Sequence, residues 1–485
     1  MTWRAGNFAL AEPSAGQASD KDSGDGFPPR GSGLPGRREN PPSEIWAHPW
    51  ELGPSWTWRP GQVLLGEWDG RLLGQSDDRH MVTVAGSRAG KSSTILAPNL
   101  RRYPGSMIVL DPKGELAKAT AKTREAMGQK VYILDPFHTT GRASDSFNPF
   151  QELGALRPDQ LASDAAVLAD ALIIPHEKDP HWTDSARNLI RGLTLHMLDT
   201  SPKAPTIKQL HKFLYADPSQ LESIFKDMKK SHAFDGIVAN TGSSFMGKLK
   251  AGERELQGIL STAQEQTAPL ADINSISDRS DFTLADLKRK NITIYLVLPG
   301  MKMGTHFRWL RLIIQQAMDA MERTPNRADK LPVLFVLEEF AALGYMRSIE
   351  TATGFMAGYG VKLWSVLQDL TQLQTHYPKS WETFLGNAGI IQAFGNADLT
   401  TTEYLSKRLG QTVITETQDI SVSSSAMSSG DVGMREHIRH VPLLASYEIT
   451  RHFDRRTNRQ LIITPGLPPI YMHRVPPEAE DDGKA

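Results

Sequence analysis

Residues 81–100 read MVTVAGSRAGKSSTILAPNL and join three kinds of local structure. MVTVAG is apolar and β-branched, as in a buried strand, SRAGKSS is a loop of small and polar residues, and TILAPNL is typical of a helix. A strand that leads through such a loop into a helix points successive backbone N–H groups at one place, where they can bind phosphate. The stretch therefore predicts a phosphate-binding loop in an α/β fold.

The residues expected to bind a nucleotide are consecutive in this loop. They are Ala85, Gly86, Ser87, Arg88, Ala89, Gly90, Lys91, Ser92 and Ser93. In this motif Lys91 would reach the β- and γ-phosphates and Ser92 would ligate Mg²⁺, so ATP and Mg²⁺ are the expected cofactors. Ala85 replaces the usual first glycine, which we expect to be tolerated because that position only opens the loop. Gly90 matters more, since the backbone there must approach the phosphate closely.

A site of this kind also needs an acidic side chain at the end of a neighbouring strand. LPVLFVLEEF (331–340) supplies Glu338, expected beside Mg²⁺, and Glu339, expected to act as general base on the attacking water. The next apolar run, VKLWSVLQ (361–368), ends in Gln368, which could sense the γ-phosphate. Glu338, Glu339 and Gln368 could instead be ordinary solvent-exposed residues at the ends of strands. The phosphate-binding loop predicted upstream favours the functional interpretation.

Apolar, strand-length runs alternate with helical stretches over most of the chain. The other runs are SMIVLD (106–111), VYILD (131–135), ITIYLVLP (292–299) and IIQAF (390–394). This alternation predicts an α/β fold with a mostly parallel central sheet covered by helices on both faces.

Residues 151–284 differ, because helical patterns follow one another without a strand signal. One predicted helix there carries Trp182, Ala186, Leu189, Leu193 and Met197 on a single face.

These patterns divide the chain into five segments. We expect a disordered Pro/Gly-rich tail over 1–45, the first part of a nucleotide-binding domain over 46–150, an all-α domain over 151–284, the second part of the nucleotide-binding domain over 285–470 and an acidic tail over 471–485.

Composition excludes several other classes of protein. The 485 residues include no cysteine, which rules out disulfides, zinc–cysteine sites and a thiol nucleophile. No apolar run approaches the roughly 18 residues of a membrane span, and no apolar N-terminal segment suggests export, so we expect a cytoplasmic protein without direct membrane insertion. The net charge of −1 provides no overall attraction for nucleic acid. Any DNA contact would come from basic clusters at 226–232, 287–291 or 451–459, although a solvated charged face is the simpler interpretation of any one cluster taken alone.

Six stretches together resemble the type IV coupling proteins, the TraG-like conjugative DNA-transfer ATPases. They are MIVLDPKGEL (107–116), FNPF (147–150), WTDSARNLI (182–190), LEEFAALG (337–344), AGYGVKLWSVLQDLTQL (357–373) and LSKRLGQT (405–412), in the order of that family. The resemblance implies a RecA-like P-loop NTPase domain interrupted by an all-α domain. It also implies homo-hexameric rings that hydrolyse ATP at subunit interfaces. Single-stranded DNA with its attached relaxase, or protein effectors, would be the substrates, and type IV secretion channel components the partners.

Carried onto this sequence, the resemblance assigns the loop roles to Lys91 and Ser92, the acidic pair to Glu338 and Glu339, and the sensor to Gln368. Asp111 and Lys113 of the DPKGE stretch keep an open role, either a structural salt bridge or chemistry.

The sequence departs from the family pattern in three places. The family usually has Asp where Glu338 stands, and some members have an arginine finger at the position of Ala357, for which Arg347 or Arg408 could substitute. Typical members begin with transmembrane helices, whereas this sequence begins with a polar segment, so we expect it to reach the inner membrane only through partners.

Two other functions stay open: a soluble FtsK/HerA-like ring motor not tied to secretion, and a nucleotide-gated substrate receptor with little ATPase activity.

Overall fold

The computed structural model describes residues 46–47, 49, 52–154, 157–175, 179–201, 203–419 and 434–477. The expected disordered tail over 1–45 and the last eight positions of the expected acidic tail lie outside the described residues. The chain divides into two compact units. Unit 1 comprises the described residues up to Tyr103 and from Val366 onward, and unit 2 comprises Pro104–Ser365.

The described residues form thirteen labelled strands. They are β1 (Val63–Trp68), β2 (Arg71–Gln75), β3 (His80–Ala85), β4 (Met107–Asp111), β5 (Lys130–Leu134), β6 (Ile292–Val297), β7 (Val333–Leu337), β8 (Val361–Leu367), β9 (Ala388–Phe394), β10 (Gln411–Asp419), β11 (Met434–Pro442), β12 (Arg459–Ile463) and β13 (Ile470–His473). All seven strands expected from the sequence are present, as β3 to β9, because each is an apolar run long enough to cross the core.

The helices of the described residues are α1 (Ala97–Leu100), α2 (Glu115–Ala126), α3 (Pro149–Gly154), α4 (Pro158–Leu172), α5 (Pro180–Thr200), α6 (Ile207–Leu214), α7 (Pro218–Lys230), α8 (Ile237–Ala251), α9 (Glu253–Thr267), α10 (Asp286–Arg289), α11 (Gly300–Arg323), α12 (Arg347–Phe355), α13 (Leu370–His376), α14 (Trp381–Gly386), α15 (Leu399–Leu409) and α16 (Ser446–His452).

Unit 2 contains a parallel sheet in the order β8-β7-β4-β6-β5. Every residue of β4, β6, β7 and β8 is buried, as expected for strands covered on both faces. The same unit contains α3 to α9, and a 3₁₀ segment over Ala268–Ile276 follows them. The described part of 151–284 is thus free of strands, although the exact limits of an all-α domain stay a prediction.

Unit 1 contains strands in the order β2-β1-β13-β12-β9-β3, of which only β9 and β3 pair in parallel. The pairing of β13 corrects one predicted boundary. We expected an acidic tail from residue 471, but Tyr471 and Met472 are buried in β13, where they pair with Leu461 and Gln460 of β12. The apolar pair belongs to the core, so the polar end of the chain begins later.

Within the described residues, no helix is both long and apolar enough to cross a membrane.

Candidate nucleotide-binding site

The predicted site residues divide between the units. The loop over 85–93 and Gln368 belong to unit 1, and Glu338 and Glu339 belong to unit 2.

The substitution of alanine for the first glycine of the loop has a structural explanation. Ala85 is the last residue of β3, where it pairs with Phe394 of β9 and is 0% exposed. The tight turn begins one residue later, at Gly86, whose N–H donates to the Phe394 carbonyl at 3.3 Å. A Cβ atom on Gly86 would lie 2.1 Å from the carbonyl oxygen of Gly395. The position that cannot carry a side chain is therefore Gly86, and Ala85 is accommodated as a strand residue.

This close approach makes Gly86→Ala a test of the loop packing. The new methyl group must displace the backbone of Gly395, so we expect the substitution to destabilise the protein by about 1–3 kcal/mol and to weaken nucleotide binding. Gly247→Ala is the matched control, because Gly247 lies exposed in α8 with open space where its Cβ would be. Urea unfolding followed by circular dichroism compares the two variants. An unchanged unfolding midpoint in Gly86→Ala would contradict the packing argument.

Two residues of the loop have left-handed backbone conformations. Arg88 has φ of 56° and Gly90 has φ of 89°. Glycine adopts this region without a penalty, whereas a residue such as Arg88 is strained there by about 1 kcal/mol or more. Between them, Ala89 is buried and its N–H donates to the Gly86 carbonyl at 3.2 Å. The loop thus has the alternating backbone that can turn several N–H groups toward an anion.

The helix after the loop begins as a wide π turn over Ser92–Leu96, with the Ala97 N–H donating to the Ser92 carbonyl. Pro98 explains this, since it has no N–H to donate and in a regular α-helix its ring would clash with the carbonyl four residues earlier. Such π segments occur frequently at functional sites. The sequence predicted the helix but not its wide first turn.

Lys91 is buried, with 8% exposure, and its ammonium group binds the start of the loop. Nζ donates to the Ala85 carbonyl at 2.8 Å and to the Gly86 carbonyl at 3.4 Å. The lysine therefore stabilises the turn in which it lies. Ser92 is half-buried and Ser93 exposed, so hydroxyl groups flank the helix start. Backbone N–H groups and an ammonium group donate hydrogen bonds to phosphate oxygens, and a serine hydroxyl oxygen can ligate Mg²⁺, so this loop fits a nucleotide phosphate with Mg²⁺.

Gln368 lies with the loop around one cavity of unit 1. This cavity of ≈ 390 Å³ is lined by Gly86, Ser87, Gln368, Asp369, Gly395, Asn396, Ala397, Asp398, Thr450, Asp454 and Arg455. Asn396 is buried, its Nδ2 donates to the Gln368 carbonyl at 3.5 Å, and its Oδ1 has no hydrogen-bond partner in the described residues. The structure therefore brings the predicted sensor close to Gly86 and Ser87. Sequence reasoning missed Asn396, although a polar residue two positions after the end of buried β9 was a usable signal.

The acidic pair follows β7 in unit 2. Glu338 is buried, with 9% exposure, and Glu339 is half-buried. Glu339 has φ of 55° and ψ of 45°, and its carbonyl accepts a hydrogen bond from the Ala342 N–H at 2.8 Å, where a 3₁₀ turn begins. A glutamate in the left-handed region is strained, and such strain is concentrated at functional sites. The left-handed backbone at Glu339 supports the prediction that this residue has a functional role.

Arg311 of α11 anchors the loop that follows the acidic pair. Its Nη1 donates to the carbonyls of Leu343 at 2.8 Å and Tyr345 at 2.6 Å, and its Nε donates to the Ala171 carbonyl at the end of α4 at 3.3 Å. The guanidinium thus connects three segments of unit 2 by backbone contacts. No local sequence pattern marks this arginine as different from other helix residues.

Asp111 has a structural role that differs from the salt bridge considered from sequence. Its Oδ2 accepts a hydrogen bond from the Ala117 N–H in α2 at 2.8 Å, while Lys113 is exposed. Burial raises the pKa of Asp111 to about 6, against the lowering effect of backbone N–H groups. The carboxylate therefore caps the first turn of α2.

Other basic residues named from the sequence have different surroundings. Arg347 lines a cavity of ≈ 450 Å³ in unit 2, together with Arg187 and Asp319, and Arg408 is exposed on α15. Lys288, in the basic cluster over 287–291, is buried, and its Nζ donates to the carbonyls of Met321 and Thr324 at the end of α11. This lysine is a helix cap and is removed from the set of surface charges that could meet DNA.

The family model described as "Type IV secretory system Conjugative DNA transfer" matches residues 44–476. Protein VirD4 of Agrobacterium fabrum is 28% identical to the chain over 428 residues, which cover 86% of this chain and 61% of VirD4. The conjugal transfer protein TraG of Escherichia coli is 27% identical, with 84% of this chain and 69% of TraG covered. The chain thus spans about three fifths of the length of the VirD4 proteins it matches.

Among solved structures, the plasmid coupling protein TrwB in complex with a non-hydrolysable ATP analogue superposes with a TM-score of 0.65 at 13% identity, covering 94% of this chain and 98% of TrwB. Unbound TrwB gives a TM-score of 0.66 at 15% identity, covering 90% and 94%. This likeness confirms the expected fold class, an α/β RecA-like fold. The match of the family model over most of the described residues shows more: the chain belongs to the type IV secretory system conjugative DNA transfer family.

Proposed function

We propose that this protein is an ATP-hydrolysing coupling protein. It recruits single-stranded DNA with its relaxase, or protein effectors, and translocates them to a type IV secretion channel. The observation that carries this proposal is the loop over 85–93, whose turn at Gly86, left-handed Arg88 and Gly90 and buried Lys91 ammonium suit a nucleotide triphosphate. Family membership supplies the connection to DNA transfer.

Each predicted site residue has a proposed task. Lys91 binds the β- and γ-phosphates, and the Ser92 hydroxyl and the Glu338 carboxylate hold Mg²⁺ and its water shell. Glu339 accepts the proton of the attacking water at its carboxylate. The Gln368 side chain responds to the presence of the γ-phosphate. When bound, Mg²⁺ neutralises charge that develops on the phosphates, and a solved structure of the similar TrwB protein contains ADP and Mg²⁺.

The proposed active form is a homo-hexamer at the cytoplasmic side of the inner membrane, where secretion channel components hold it. Exposed basic residues support DNA contact in such a ring, because each patch repeats around the pore. In the described structure these include Lys226 and Lys229 on α7 and the exposed pair Arg455 and Arg456, of which Arg456 forms an ion pair with Asp454 at 2.7 Å. Arg455 also lines the cavity beside the phosphate loop, which would link DNA contact and nucleotide within unit 1.

The test is ATP hydrolysis by the full chain with Mg²⁺, in the absence and presence of single-stranded DNA. We expect DNA to raise the rate, and we expect this stimulation to fall steeply between roughly 50 mM and roughly 200 mM salt, because phosphate contacts release counterions. Lys226→Ala with Lys229→Ala, and separately Arg455→Ala with Arg456→Ala, should each weaken the stimulation.

Equal rates with and without DNA would contradict the motor function. Nucleotide binding without hydrolysis would instead indicate a nucleotide-gated receptor. Capture of a relaxase or a channel ATPase from a donor cell would support the secretion role, and capture of a nuclease with neither of these would indicate a ring motor of another pathway.

A further inference from the structure

Arg474, a buried arginine near the end of the described chain, contacts the backbone of the phosphate loop at Ala89. Arg474 directly follows β13 and is 4% exposed. Its Nη1 donates to the carbonyl of Ala89, and its Nη2 donates to the carbonyls of Thr457 and, at 3.3 Å, of Arg455. The guanidinium lies over the Phe394 ring, 4.6 Å from its centroid. Arg474 is therefore held between the loop, the end of β9 and the segment before β12.

The backbone of Arg474 is itself tied in place. Its N–H donates to the Asn458 carbonyl at 2.7 Å, and the Asn458 side-chain amide donates to the Arg474 carbonyl at 2.8 Å. This pair of bonds anchors the base of the side chain, so the guanidinium is presented to the loop from a rigid strand end.

The contact with Ala89 sets the orientation of one peptide group. In a planar trans peptide the C=O and the following N–H point in opposite directions. Because the Ala89 carbonyl points at Arg474, the Gly90 N–H points away from it. A Cβ on Gly90 would lie 3.2 Å from Nη1 of Arg474, so the guanidinium also packs closely against this residue. Arg474 thus orients the N–H group that precedes Lys91.

The charge of Arg474 is not neutralised by the described residues around it. Its hydrogen-bond acceptors there are backbone carbonyls, and burial alone lowers its pKa to about 10, with no described carboxylate acting against that effect. The group stays protonated at neutral pH. A buried positive charge behind the loop adds to its attraction for an anion, because low-dielectric surroundings screen charge weakly.

We propose that Arg474 is a positioning residue of the phosphate loop: it holds the Ala89–Gly90 peptide with the Gly90 N–H turned outward for a nucleotide phosphate, and its uncompensated charge strengthens phosphate binding. The inference rests on the proposed nucleotide-binding function and assigns a role in it to a residue outside the loop motif.

The test measures the affinity of the full chain for a fluorescent ATP analogue with Mg²⁺, together with urea unfolding, so that binding is compared where every variant is folded. We expect Arg474→Met to weaken binding about 10-fold or more, since it removes a charge-assisted contact and the charge itself. Arg474→Lys should restore part of the affinity because it keeps the charge. In the parent, affinity should fall as salt is raised, and this salt dependence should be smaller in Arg474→Met.

Arg71→Met is the matched control. Arg71 lies in the same unit and also donates to backbone carbonyls, those of Leu52 at 3.0 Å and Gly53 at 3.4 Å, so its loss tests removal of a backbone-binding arginine. We expect it to change the unfolding midpoint without changing ATP affinity.

If Arg474→Met lowers the unfolding midpoint but binds ATP as the parent does, Arg474 is merely structural and the inference is wrong. If the Met variant does not fold, Arg474→Lys and Arg474→Gln decide the question, and parental affinity in both would overturn it. A parent that binds no nucleotide would instead contradict the proposed function itself.

Discussion

Glu339→Gln is expected to lower the rate of ATP hydrolysis by about 100- to 10,000-fold and to leave nucleotide affinity nearly unchanged. The amide keeps the size of the side chain but cannot accept a proton from the attacking water. The backbone supports this role, because the chain leaves fully buried β7 through Glu338 and enters the left-handed conformation at Glu339 itself. That conformation is held by the 3₁₀ turn after it, whose loop is anchored by Arg311. This backbone conformation fixes the point from which the Glu339 side chain extends.

Single-turnover hydrolysis and binding of an ATP analogue, measured on the same samples, separate chemistry from affinity. Glu222→Gln is the control, since Glu222 is exposed on α7 and undergoes the same chemical change. Glu338→Gln should act differently and raise the Mg²⁺ concentration needed for half-maximal rate. Glu338→Asp, with the shorter side chain usual in the family, should keep most of the activity. Hydrolysis at the parental rate by Glu339→Gln would refute the base assignment.

Lys91→Ala is expected to weaken ATP binding about 100-fold, because truncating one partner of a buried charged contact costs roughly 2–5 kcal/mol. Its Nζ donates to the Ala85 and Gly86 carbonyls, so the ammonium group lies at the start of the loop that is predicted to bind phosphate. Phosphate oxygens are stronger acceptors than these carbonyls, and the exchange of partners favours the nucleotide complex.

The measurement is titration with a fluorescent ATP analogue, with hydrolysis followed in parallel. Lys122→Ala serves as control, because Lys122 is exposed on α2 in unit 2. The variant also loses two hydrogen bonds within the loop, so urea unfolding is needed to show that it is folded during the titration. Parental affinity in a folded Lys91→Ala protein would mean that the loop does not bind phosphate.

Local patterns in the sequence predicted the strands that carry these residues. Seven strands were expected and seven are present, because buried parallel strands are continuous apolar runs that few other structures explain. The antiparallel strands of unit 1 were missed. One had a usable signal: Asp69 and Gly70 form a two-residue hairpin turn between β1 and β2, both with positive φ, as the Asp-Gly pair suggests. β12 (RQLII) begins with two polar residues and β13 (IYMH) has only four residues, so neither is a long apolar run, and their pairing depends on neighbours from distant segments.

The sequence also misjudged single residues whose surroundings are not local. Lys288 belongs to a basic cluster in the sequence, yet it is buried and its ammonium group binds backbone carbonyls at the end of α11. For Asp111 the sequence left a salt bridge and a chemical role open, and in the structure its carboxylate caps α2. In both cases the side chain could bind several kinds of partner, and the tertiary structure places backbone groups of a helix end next to it.

The sequence by itself predicted the phosphate loop, the acidic pair and the sensor strand, because each is a pattern contained within about ten neighbouring residues. Tertiary structure alone decided which distant residues contact the loop and fix its backbone conformation. Gly395 excludes a side chain at Gly86, and Arg474, 385 positions from Ala89, holds the peptide next to Lys91. Such contacts depend on where separate strands end in space, and no local spacing encodes them.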